Sequence, residues 1–135
     1  MLYYIKHYPI SLIILAIICY LSFFTPPKTD LNEIPNLDKL VHFCMYFGFS
    51  SMIWIEYLWS HSSIRWKRII PGAVLLPILI SGLIEILQEN CTDMRSGDWL
   101  DFLANSVGAL ASIPACHYIY RFLVWRYLKR KSTDK

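Results

Sequence analysis

Residues Ile84–Asn105 read IEILQENCTDMRSGDWLDFLAN. The stretch begins at the end of one apolar run and finishes inside another, yet it carries Glu85, Gln88, Arg95, Asp98, Asp101 and Asn105. The flanking runs, about residues 69–88 and 99–125, reach the ~20 residues that a helix needs to cross ~30 Å of hydrocarbon. Two more, about residues 8–24 and 40–59, reach or approach that length. Of the 135 residues, 56% are hydrophobic and 17% charged, and the charges fall in blocks between the runs. That pattern marks an integral membrane protein. The runs lack the alternation of a membrane strand, and four of them exceed what a soluble core of this size could absorb. The expected fold class is therefore all-α: a polytopic membrane protein with four transmembrane helices in a single domain, residues 1–135.

Lys6 before the first run raises the alternative of a signal peptide. The residues that follow, FFTPPKTD, offer no small-x-small cleavage site, and Ile17 and Ile18 before Cys19 do not suit lipoprotein processing, so an uncleaved helix is expected. Cys19, Cys44, Cys91 and Cys116 show no close pairing and no C-x-x-C spacing.

Orientation follows from the positive charges. Lys6, the group Arg65, Lys67 and Arg68, and the tail with Arg121, Arg126, Lys129, Arg130, Lys131 and Lys135 alternate with two connections that hold most of the acidic residues. By the positive-inside rule both termini are cytoplasmic, and the first and third loops face outward. This accounts for the basic tail, with Trp125 and Tyr127 as interface anchors, and nucleic acid is not an expected partner.

The polar residues form stripes. Asp38, His42 and Tyr46 lie at i, i+4, i+8 on one helix face, with Lys39 alongside. Glu85 and Gln88 lie at i, i+3 in the last turn of the third run, and Asp98, Asp101, Asn105, Gly108 and Ser112 descend the fourth. The three stripes meet at one membrane level. A carboxylate at the centre of a spanning helix costs about 2.5 to 3.5 kcal/mol, and less near the interface, so Glu85 should face protein or water. Lys39, His42 and Arg95 are the available cations for four carboxylates. The plainer alternative is that these residues are interhelical glue, whose bonds contribute on average under ~1 kcal/mol each.

Other features have simpler readings. Ala104, Gly108 and Ser112 let another helix approach, with Gly82 as a candidate partner groove, while Pro71, Pro77 and Pro114 start or kink helices. Asn36 or Asp38 is expected to cap the second helix, and Ser96 or Asp98 the fourth. Glu56 is expected to snorkel or pair with Arg65 or Arg68, and His7, His61 and His117 to pack away from the cluster.

The series Asp38-Lys39-x-x-His42-Phe43-x-x-Tyr46, Glu85-x-x-Gln88 and Arg95-x-x-Asp98-x-x-Asp101-x-x-x-Asn105-x-x-Gly108 resembles the VanZ-like family of small bacterial membrane proteins over residues 38–112. The resemblance implies a multi-pass protein of the bacterial cytoplasmic (inner) membrane. It also implies a link to teicoplanin resistance, carried by the member that names the family, while the family's general activity is not established. Ser112 stands where members often have a second glycine.

Three function classes follow. In the first, the outer face binds or shields a membrane lipid or lipid-linked envelope precursor: Lys39, His42 and Arg95 contact an anionic headgroup, and Glu85, Asp98, Asp101 and Asn105 position them, with Asp38, Tyr46 and Gln88 completing the binding set. In the second, a membrane hydrolase or transferase acts on a lipid-linked phosphate or sugar, with Glu85 or Asp101 as base and His42 as acid or base. One His with several carboxylates could hold a divalent metal, but the set matches no specific site, so neither a metal nor a cofactor is assigned. A transporter is the third class, and four helices leave little room for a pathway unless copies form a homo-oligomer.

Overall fold

The computed structural model describes residues 6–23, 36–61, 63–91 and 98–133, and these are helical with short connections. Four helices form: α1 (Pro9–Phe23), α2 (Leu37–Ser60), α3 (Trp66–Ile70, Pro71–Leu75 and Leu76–Cys91) and α4 (Trp99–Ala115, Cys116–Tyr120 and Arg121–Thr133). The middle segments of α3 and α4 are single π-helical turns. Pro71 is the first residue of one, and Pro114 lies two residues before the other. A proline removes one backbone donor and crowds the preceding turn, which is where helices widen or bend. The fourth helix thus runs past residue 125, the end expected for its apolar run.

Among the described residues, two stretches are long and apolar enough to cross a membrane: Trp66–Asn90, of 25 residues, and Trp99–Lys129, of 31. Only 39% and 28% of their most apolar windows are buried, the reverse of core helices in a soluble protein. Leu79, Leu83, Ile86, Leu103, Val107 and Leu110 point outward from them, as lipid-facing side chains do. α1 is shorter at 15 residues, and α2, at 24, is long enough but interrupted by polar groups.

Those polar groups fix the packing. Glu56 is buried, and its carboxylate accepts hydrogen bonds from the backbone N–H of Ile10 (2.8 Å) and Ser11 (3.2 Å) and from the Ser11 hydroxyl. It caps the start of α1 instead of pairing with Arg65 or Arg68. The first amides of a helix have no intrahelical acceptor and form the positive end of its dipole, which makes them a better partner for a buried carboxylate than a distant solvated arginine. At the other end of α1, Gln88 Nε2 donates to the carbonyl of Ser22 at 2.6 Å.

α2 and α4 pack along their lengths, closest at Gly108. A Cβ at Gly108 would overlap the carbonyl oxygen of Phe43 and lie 3.0 Å from the Phe47 nitrogen. One turn on, Trp54 Nε1 donates to Ser112 Oγ at 3.0 Å, and that hydroxyl donates to the Ala109 carbonyl at 2.6 Å. The small residues of α4 therefore admit α2, whereas Gly82 of α3 faces the ring of Phe102, 3.3 Å from where its Cβ would be. Helix spacing is set by backbone here, so it cannot relax by rotating a side chain.

Gly108→Ala should destabilise the protein by at least about 1–3 kcal/mol, the usual range for overpacking. Gly48, with nothing within 4 Å of a Cβ, should accept alanine with no loss and a gain of up to about 1 kcal/mol from helix propensity. Thermal unfolding of the two variants in detergent checks the contrast.

Candidate functional site

The close approach of α2 to α4 brings the first turns of both helices together. Asn36 sits at the N-cap of α2 with φ 63°, a left-handed conformation that asparagine tolerates better than most residues, and its side chain makes no cap hydrogen bond. Asp38 and Lys39 follow in the first turn. Asp98 caps α4 through its side chain, accepting from the Leu100 N–H at 2.8 Å, and its own N–H donates to Glu85 Oε2 of α3 at 3.1 Å. Of the two residues expected to cap α4, Ser96 lies outside the described residues, as does Arg95.

Lys39 is the hub. Its Nζ lies 2.7 Å from Asp38 Oδ2, 2.7 Å from Asp98 Oδ2 and 2.9 Å from Asp101 Oδ1. Asp101 turns its other oxygen to His42, with Oδ2 3.4 Å from Nε2. His42 Nδ1 is 3.2 Å from Asn105 Oδ1, and Asn105 Nδ2 donates to Ser81 Oγ at 2.8 Å. The Tyr46 hydroxyl is buried beside the same serine. One polar chain thus runs from the rim at Asp38 and Asp98 down to Ser81 and Tyr46, crossing α2, α3 and α4.

Burial increases along that chain. The Asp38 and Asp98 side chains are exposed, that of Asp101 is 15% exposed, and His42, Glu85, Asn105, Ser81 and Tyr46 are buried. At the rim the three carboxylates hold the Lys39 ammonium well above the usual lysine range. Lys39 in turn lowers the carboxyls of Asp38 and Asp98 below theirs, the latter helped by its cap hydrogen bond to Leu100.

Of the ten binding residues expected from sequence, Asp38, Lys39, His42, Tyr46, Glu85, Asp98, Asp101 and Asn105 belong to this network. Gln88 donates its amide to α1. Ser81 was not expected. It stands four residues before Glu85, on the same helical face, and that i, i+4 spacing was its available signal. His61 stacks on Tyr57, and His117 packs beside Trp66, both apart from the network. Two open apolar grooves of about 430 and 410 Å³ lie on the C-terminal part of α4, one against Trp59 and the other beside His117, and contain none of the network residues.

A family model described as VanZ/LLP1 matches residues 4–124 of the chain. The match takes in α1 and most of α4, beyond the 38–112 of the sequence resemblance. No curated protein and no solved structure matches.

The pH dependence of the rim has a definite sign. Carboxyls depressed by folding contribute stability that is complete above their unfolded value, about pH 4, and is lost as pH falls through the lower folded value. The raised Lys39 contributes fully below about pH 10 and loses its share only as pH rises through its higher folded value. Acidification below about pH 4 should therefore lower the unfolding temperature more in the wild type than in Asp98→Asn, and unfolding scans in detergent from pH 7 to 3 measure the difference.

Proposed function

The chain belongs to the VanZ-like family, and on that premise we propose that it crosses the membrane four times, with both termini cytoplasmic, and holds a lipid-linked envelope component in its outer polar network, contributing to teicoplanin resistance. The arrangement of charge supports the crossing pattern. The network occupies the start of α2, the end of α3 and the start of α4, while Arg65, Lys67, Arg68, Arg121, Arg126 and Lys129 gather at the opposite ends of those helices.

The observation that carries the binding reading is the set of carboxylates around Lys39. Asp38, Asp98 and Asp101 contact one ammonium, so Lys39 is held by three carboxylates at the rim. With Glu85 nearby, the site is rich in acceptors among the described residues. Such a site suits sugar hydroxyls or ammonium groups, which donate to carboxylates, better than a bare phosphate. A lipid-linked sugar held there by its headgroup is shielded from a glycopeptide that approaches from the same side.

A hydrolase or transferase is the second reading, favoured by the sequence Ser81–Asn105–His42–Asp101, in which an imidazole is oriented between an amide and a carboxylate.

Asp101→Asn, present in the membrane at wild-type abundance, should reduce the teicoplanin tolerance of producing cells to that of cells lacking the protein; unchanged tolerance contradicts the proposal. Purified protein should bind a labelled lipid-linked sugar without converting it. Turnover that disappears in Glu85→Gln would establish the enzyme reading instead.

A further inference from the structure

His42, Glu85 and Asp101 come from three different helices, and one donor atom of each lies within 4.8 Å of the other two. We propose that these three side chains form a site for a divalent first-row metal ion, of the zinc or manganese class, with His42 Nε2 and one oxygen from each carboxylate as ligands. The inference concerns the same site as the proposed function but does not depend on a bound lipid.

The first argument is the tautomer of His42. Asn105 uses its amide nitrogen to donate to Ser81, which leaves its oxygen facing His42 Nδ1. That oxygen can only accept, so Nδ1 carries the proton. Nε2 faces Asp101 Oδ2, an acceptor, at 3.4 Å, so a neutral ring sets its lone pair against the carboxylate. Two lone pairs facing each other in a buried site repel unless a cation or a second imidazole proton lies between them. A ring nitrogen fixed by a hydrogen bond from its partner nitrogen is also how metal-binding histidines are held.

The second argument is distance. Ligands about 2.1 Å from a tetrahedral metal stand about 3.4 Å from one another, and His42 Nε2 and Asp101 Oδ2 are at that separation. The widest pair, within 4.8 Å, must close by up to about 1.4 Å, a rotation that a Glu or Asp side chain makes without backbone movement. The third argument is the donor set. His42 and Glu85 are buried and Asp101 is nearly so, and these donors face protein more than bulk water. One nitrogen and two oxygens suit zinc or manganese better than copper(I), which prefers sulfur, or magnesium, which prefers oxygen alone. Three protein ligands leave a coordination position for water or a ligand oxygen.

The test is metal content. Full-length protein in detergent, stripped with EDTA and re-equilibrated with Zn²⁺ or Mn²⁺, is desalted, and metal per chain is measured by mass spectrometry alongside its unfolding temperature. The expected result is one ion per chain and a raised unfolding temperature. Glu85→Gln and His42→Ala should lose the ion, Asp38→Asn should keep it, and Asn105→Ala, which retains all three ligands, should bind about 10- to 100-fold more weakly. Wild-type protein that retains well under one ion with either metal overturns the proposal, whatever the folding of the variants. Retention by folded Glu85→Gln and His42→Ala also overturns it and points to a second imidazole proton between the lone pairs. Metal binding without any effect of Asp101→Asn on teicoplanin tolerance refutes the lipid reading alone, and a wild type that protects cells but retains no ion after re-equilibration with either metal refutes this inference alone.

Discussion

Gly108 has no side chain, and the backbone of α2 occupies the space where one would be. In a membrane, where lipid tails satisfy apolar side chains as well as other helices do, such close approach is a main source of helix association. Its consequences here are specific. With α2 against α4 at Phe43 and Phe47, Lys39 reaches Asp98 and Asp101, His42 reaches Asp101 and Asn105, and Trp54 reaches Ser112. Every contact between these helices that bears on the site lies within a few turns of that glycine, so the geometry of the site depends on the fit there.

α3 closes the site from a third side with modest means. Ser81 receives the amide of Asn105 and Glu85 receives the N–H of Asp98, so two hydrogen bonds attach it to α4 at levels one turn apart. Glu56 attaches α2 to the start of α1, and Gln88 attaches α3 to the end of α1. Individually such bonds contribute little in a membrane setting, about 0.6 kcal/mol on average. Their value is directional: each polar group has one arrangement in which it is satisfied, and those arrangements agree with one another.

What the sequence disclosed depended on whether the partner of a residue was itself a distinctive side chain. Asp38, His42 and Tyr46, and Asp98, Asp101 and Asn105, announce themselves by helical spacing, and both stripes face the shared network. Glu56 and Gln88 bond to backbone groups, which every residue carries, so nothing in the sequence singles out Ile10 or Ser22 as their partners, and the Ser11 hydroxyl that also donates to Glu56 is one of many serines. The small-residue spacing around Gly108 signalled a close helix contact, but not that α2 rather than α3 would fill it. The partners of Lys39 were not legible for a related reason. Counting cations against anions cannot say which of four carboxylates a flexible side chain will touch, and here it touches three.

The central claim is that three helices converge on one polar site, which the proposed topology places at the outer face. Its most direct measurement is disulfide formation in intact cells between Lys39→Cys and Asp98→Cys, introduced together into a chain whose native cysteines are replaced by serine or alanine, using an oxidant that does not cross the membrane. Rapid cross-linking from outside is the predicted result, because the two side chains meet at the rim of the network. A pair that cross-links only after the membrane is permeabilised, or that stays reduced throughout, would contradict the account.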